Sequence, residues 1–138
     1  MKSRGSIIRL KKFQVDEKRR KVAQIEAMIA EFERIAADLD REIQAEQDRT
    51  GIHDPAHFAY STYAKAAIGR SENLKRSTEE LAGQLDRAQA ALHDSFEELK
   101  KLELLDERDQ IRERASEGAR DQAGFDAIGA LRVRGAIS

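Results

Sequence analysis

The chain has no cysteine, no tryptophan and a single proline, and only 5% of its residues are aromatic. Without cysteine there are no disulfides and no thiolate metal sites, a composition consistent with the cytoplasm. No run of about 18 apolar residues occurs, so nothing is expected to span a membrane. The opening MKSRGSIIRLKK lacks an apolar stretch of signal-peptide length. A phosphate-cradling glycine loop, a Ser/His/Asp set and a nucleophilic cysteine are all missing.

Charge and small apolar residues are what the chain does contain. It is 37% charged over 138 residues, with 25 Lys+Arg against 26 Asp+Glu, and its apolar residues are mainly Ala, Leu and Ile. That profile belongs to a coiled coil or long helix rather than to a compact globule. The balance hides an asymmetry. Residues 1–21 carry nine Lys/Arg against Asp16 and Glu17, a net of +7, whereas residues 97–114 hold seven acids and five bases.

Heptad periodicity supplies the fold class. With Val15 at position a, that position reads Ile8, Val15, Val22, Ile29, Ala36 and Ile43. Position d reads Lys11, Lys18, Ile25, Phe32, Leu39 and Glu46. From Val22 to Ile43 the seam is wholly apolar. The pattern stops at DRTGIHDP (48–55). Gly51 suits a helix C-terminus, and Asp54–Pro55 reads as the start of the next helix. The second seam places Ala64, Ser71, Thr78, Leu85, Leu92 and Leu99 at a, and Tyr60, Ala67, Leu74, Leu81, Ala88, Ser95 and Leu102 at d. It is weak between residues 64 and 78 and strong from 81 onward.

Two long amphipathic helices joined by a short loop pack as antiparallel neighbours. The expected fold is therefore all-α: an antiparallel coiled-coil hairpin spanning residues 1–117, with helices at about 4–49 and 55–117. Residues 118–138, interrupted by four glycines, read as a frayed or conditionally helical tail. A turn centred near residue 51 or 52 pairs Ile43 with Tyr60, Leu39 with Ala64, Val22 with Leu81 and Arg4 with Leu99. In that register the seam acids Asp106, Asp109 and Glu113 begin where the first helix has ended.

Candidate chemistry is sparse. His53 and His57 flank Pro55, so they do not share a helical face suited to a metal. Glu79–Glu80 and Glu97–Glu98 are adjacent on helices, as in a solvated face. No enzyme, metal site, cofactor or small-molecule substrate is expected. The basic N-terminus has the charge to bind nucleic acid, but only Phe13 is there to stack on a base, and acids of the second helix offset the charge. Phe58, Tyr60 and Tyr63 cluster just after the loop. Tyr60 can face the seam. Phe58 and Tyr63 cannot both do so, and either staple the turn or meet a partner.

Three stretches carry a family resemblance: IIRLKKFQVDEKRRKVAQIE (7–26), DPAHFAYSTYAKA (54–66) and KKLELLDERDQIRERASEGARDQAGFDAI (100–128). In these the chain resembles the flagellar export protein FliJ family, a coiled-coil component of the bacterial type III export apparatus. The resemblance implies a stalk that inserts into the hexameric export ATPase, touches the cytoplasmic domain of the membrane export gate and escorts export chaperones. It implies a role in flagellum assembly and motility, and a cytoplasmic protein peripherally held at the membrane beneath the flagellum. Carried onto this chain, the gate-facing tip comprises Phe58, Tyr60, Tyr63 and Ala67, with Leu39 and Ile43 opposite. The ATPase-facing end comprises Arg19, Arg20, Arg108, Arg112 and Arg114. Two other readings of the residues are a coiled-coil adaptor of another secretion machine and a nucleic-acid-binding helical arm.

Overall fold

The computed structural model describes the backbone from Lys2 to Ile137 and the side chains from Arg4 to Arg132. Helix α1 spans Lys2–Thr50 and helix α2 spans Thr62–Ile137. The two pack against each other as an all-α hairpin, and no strand occurs among the described residues. Among the described residues, all thirteen that are buried sit at the a and d positions read from the sequence. In α1 these are Ile8, Val15, Ile25, Ala36 and Leu39. In and just before α2 they are Tyr60, Ala64, Ala67, Ser71, Leu81, Ala88, Ser95 and Leu99. The heptad thus dictates burial directly: an apolar stripe on each helix has one place to hide, against the other stripe.

The chain divides into two compact units, one of residues Val15–Asp94 and one of the residues up to Gln14 with those from Ser95 onward. In the Val15–Asp94 unit, the core is a cluster of Ile25, Leu81 and Ala88, with Val22, Ile29, Phe32 and Leu85 packed around it. Toward the loop the seam changes character. Ala64 and Ala67 are 0% exposed, and Ser71 is 3% exposed. The loop-side half of the stretch that reads as weak is therefore tightly covered, while Leu74 and Thr78 further on are half-buried. Small side chains allow close approach of the two backbones, so each is sealed even though it offers little area. The Ser71 hydroxyl does not go unsatisfied, because it donates to Asp40 Oδ1 at 3.0 Å.

The connection is longer than the sequence suggests. α2 begins at Thr62, not near residue 55. Gly51 does end α1, with φ of +75°, and its N–H donates to the Gln47 carbonyl at 2.8 Å. This is the left-handed cap that glycine adopts without strain. Asp54–Pro55, however, makes a turn instead of a helix start. The Asp54 carboxylate accepts from Ala56 N–H at 2.9 Å, and its carbonyl accepts from His57 N–H at 3.0 Å. Aspartate first and proline second are the residues that such a turn favours. Ser61 is the cap of α2: its Oγ accepts from Ala64 N–H at 3.2 Å.

A longer link slides the register by up to one heptad. Tyr60 meets Gln47 rather than Ile43, and Ser71 meets Asp40, near the position expected to face residue 63. A whole-heptad slide is invisible to the seam, since a still meets d.

In the second unit Ile8 and Leu99 are buried. Lys11 Nζ donates to Glu98 Oε2 at 2.5 Å. Arg4 pairs with Asp109 and donates to the Leu105 carbonyl at 3.1 Å. Asp109 was expected past the end of the first helix, with Arg4 beside Leu99; the slide instead sets Asp109 opposite Arg4. Asp106 and Asp109 are half-buried, and only Glu113 is fully exposed. α2 then continues without a break through residues 118–137, the stretch that reads from the sequence as frayed or conditionally helical. Each glycine there costs about 1 kcal/mol relative to alanine, yet the surrounding Arg, Glu, Gln and Ala are good helix formers.

Candidate functional site

The loop and the first turn of α2 form the most distinctive surface of the Val15–Asp94 unit. A set of side-chain hydrogen bonds holds it. Gln47 Nε2 donates to the Tyr60 hydroxyl oxygen at 2.8 Å. Ser61 Oγ donates to Glu46 Oε1 at 2.9 Å. The Tyr63 hydroxyl donates to Glu42 Oε2 at 3.0 Å, and Thr50 Oγ1 accepts from Ile52 N–H at 3.3 Å. Glu46 also receives Arg49 at 2.5 Å. Those two donors, Arg49 first, hold its carboxyl below the usual carboxylate range. Its bond to the Glu42 carboxylate, reinforced by that group's charge, pushes the Tyr63 phenol up from its ordinary value.

On this frame the aromatics divide. Tyr60 is buried and completes the seam. Phe58 is 96% exposed and Tyr63 is 54% exposed. The Phe58 ring stacks on His57, with centroids 4.7 Å apart, and the His57 Nδ1 accepts from Ala59 N–H at 3.0 Å. The loop therefore presents Phe58 outward instead of folding it in. Of the other tip residues named from the sequence, Ala67 and Leu39 are buried and Ile43 is half-buried. They shape the tip from within. Beside Tyr63, a surface groove of about 500 Å³ is lined by Ile35, Leu39, Glu42, Arg70 and Leu74, among others. It combines an apolar floor with the acids Asp38 and Glu42 and the base Arg70. Periodicity along one helix could not reveal this groove, because its lining comes from both helices.

Arg19 and Arg20 are exposed on α1 in the same unit. Arg19 lies 3.8 Å from Asp16. In the other unit, every residue from Gln110 to Arg132 is exposed, including Arg112, Arg114, Ile111, Phe125, Ile128 and Leu131. Arg108 is exposed just before them. This length of α2 carries alternating charge and has no element of the chain laid on it. Long arginine stems on a bare helix give an adaptable, well-hydrated surface.

Nothing in either surface encloses a reacting group. A family model described as flagellar FliJ protein matches residues 4–137. The chain belongs to the FliJ family. Searches of curated proteins and of solved structures returned no match. Membership makes this chain a component of flagellar protein export, acting in protein transport within the export apparatus. A FliJ protein works at the flagellar base on its cytoplasmic side, and no helix among the described residues is long and apolar enough to cross a membrane.

Proposed function

We propose that this FliJ-family chain is a non-catalytic stalk that links the export ATPase ring to the cytoplasmic domain of the export gate. The observation that carries this reading is the helix from Gln110 to Arg132, exposed at every residue. An isolated helix gains little from propensity alone and draws most of its stability from packing. A bare stretch of this length is best explained by a partner that covers it. Dense charge of both signs suits a wet, reversible contact inside a charged ring, one that exchanges between equivalent subunits. Arg108, Arg112 and Arg114 supply that contact, and Arg19 and Arg20 of the other unit are assigned to the ATPase separately.

The loop suits a different partner. Exposed Phe58 and Tyr63 beside an apolar groove offer a small hydrophobic anchor of the kind that dominates protein interfaces. We assign this surface to the export gate, with Tyr60, Ala67, Leu39 and Ile43 holding its shape. Escort of export chaperones, a peripheral position on the cell membrane and a consequent role in motility complete the proposed role. The test is a pull-down of the full chain with the purified ATPase hexamer and, separately, with the gate's cytoplasmic domain. Retention of both supports the stalk. Retention of neither, with the chain folded, removes it in favour of an adaptor of another machine.

A further inference from the structure

The bare end of α2 carries an apolar face that no described element of the chain covers. Phe125, Ile128 and Leu131 are 70%, 51% and 66% exposed. On an α-helix each step of three residues falls about 60° short of a full turn, so Ile128 sits at the centre of the face with Phe125 and Leu131 to either side. Asp121, Gly124, Ile128 and Leu131 follow one another at spacings of three, four and three, as in a coiled-coil seam. This is not the hairpin's seam prolonged. That seam, carried past Asp109, falls on Glu113, Ser116 and Arg120 and is polar. The apolar face has moved round the helix, to a side that α1 does not serve. Gly124 leaves a hollow in it of about 430 Å³, bordered by Asp121, Phe125 and Ile128 among others, and a Cβ added to Gly124 meets nothing within 4 Å.

Charge decides which helix fits. Asp121 stands at one end of the face and Arg132 at the other, and neither has an ion-pair partner among the described residues. A second copy of the same helix laid antiparallel sets Gly124 opposite Ile128, so each hollow faces the other copy's isoleucine. The same pairing brings Asp121 opposite Leu131, one residue from Arg132, and does so twice because the arrangement is two-fold. Laid parallel, the copies set Asp121 against Asp121 and Arg132 against Arg132, which like charges oppose. The face is complementary to itself in one orientation. The contact needs only about three turns of helix and stops short of the layer where Arg4 meets Asp109.

We propose that two copies of the free chain pair antiparallel through Asp121, Gly124, Phe125, Ile128, Leu131 and Arg132. A contact this short lies below the size of a permanent interface, so its affinity should be micromolar. The paired stretch falls within the length of α2 assigned above to the ATPase ring, so self-pairing and ring binding exclude each other. That exclusion rests on the stalk reading; the pairing does not. The dimer is the idle form, in which a large apolar face is kept from water until the ring takes it up.

The test is sedimentation equilibrium of the full chain over a micromolar dilution series, where a reversible monomer–dimer equilibrium is expected. Ile128→Asp should abolish the dimer while the hairpin unfolds at the wild-type temperature. Asp121→Arg and Arg132→Asp should each weaken it by about tenfold, since the charge contact occurs twice per dimer, and the two together should restore it. A monomer at every concentration overturns the proposal. So does a dimer that persists in Ile128→Asp, which places the contact elsewhere. Single reversals without effect, or a double variant no stronger than the singles, remove the antiparallel arrangement. Added ATPase hexamer should convert the dimer to ring-bound monomer, and a ring that retains the dimer removes the exclusion. The dilution series contains no ATPase, so a chain that fails to pair leaves the stalk reading standing, and a failed pull-down leaves the pairing standing.

Discussion

Leu81 is the residue on which the hairpin's stability can be tested most directly. It is 6% exposed and forms the core cluster with Ile25 and Ala88, ringed by Val22, Ile29, Phe32 and Leu85. Truncating a buried leucine to alanine removes its transfer free energy and leaves a cavity, for a total of about 2–5 kcal/mol. The low end applies here. A two-helix seam is open along both flanks, and none of its large side chains is fully sealed. The neighbours can settle into the gap, so Leu81→Ala should cost about 2 kcal/mol. Leu81→Asp adds an unpaired charge to an apolar layer, a further cost of several kcal/mol. Since domains of this size hold only about 5–15 kcal/mol in total, Leu81→Asp should leave little helix at 25 °C. The assay is urea unfolding followed by circular dichroism at 222 nm, with Leu104→Ala as control, because Leu104 is 63% exposed. A Leu81→Ala midpoint matching the control would refute the buried seam.

The remaining expectations follow from single features. Gly69→Ala should stabilise by about 1 kcal/mol in thermal unfolding, since Gly69 is helical and an added Cβ meets nothing within 4 Å. Glu46, whose carboxyl is held low by Arg49 and Ser61, should stabilise the loop fully above the ordinary carboxylate pKa. That contribution disappears as pH falls through its lowered pKa, so the gap in melting temperature between the wild type and Glu46→Gln should close on acidification. Tyr63→Ala should weaken gate binding and spare ATPase binding. Reversing Arg108, Arg112 and Arg114 to Glu should do the opposite in a salt-dependent way, read from the same pull-downs.

The seam was legible in the sequence because burial in a two-helix hairpin is a one-dimensional problem. Each helix has one apolar seam, and every buried residue among those described lies on it. The loop was harder to read. Asp54–Pro55 satisfies the rule for a helix start and the rule for a tight turn equally well. Nothing local separates the two. What decides is Ser61, seven residues on, which both caps α2 and bonds Glu46 across the hairpin. The tail reads as frayed or conditionally helical for another reason. Gly118, Gly124 and Gly129 lower helix propensity, but propensity is a weak prior, and no proline stands there to break the ladder. Of the tip residues, Phe58 and Tyr63 were identifiable as surplus to the seam. Tyr60, Ala67 and Leu39 belong to it, and a residue that holds the helices together has little left to offer a partner.

The acids at 106 and 109 show what a heptad slide changes. On the expected pairing they face water beyond the end of α1, and their place on the seam needs no explanation. In the structure Asp109 meets Arg4, with side chains 22% and 26% exposed, at a layer where an apolar pair would bury more area. Such a half-exposed pair adds little to stability, about 0–1 kcal/mol. Its effect is on specificity. A slide by one heptad keeps a against d everywhere else along the hairpin, so apolar packing scarcely opposes it. Arg4 moved by seven residues along α2 would lie beside Leu102 or Ser116 and lose its bond to the Leu105 carbonyl. Lys11 would likewise leave Glu98. Charges on the seam therefore select one register among several that the apolar residues tolerate, the role polar groups take in coiled coils generally. The register in turn sets where α2 becomes bare, and so which arginines the protein offers to the export apparatus.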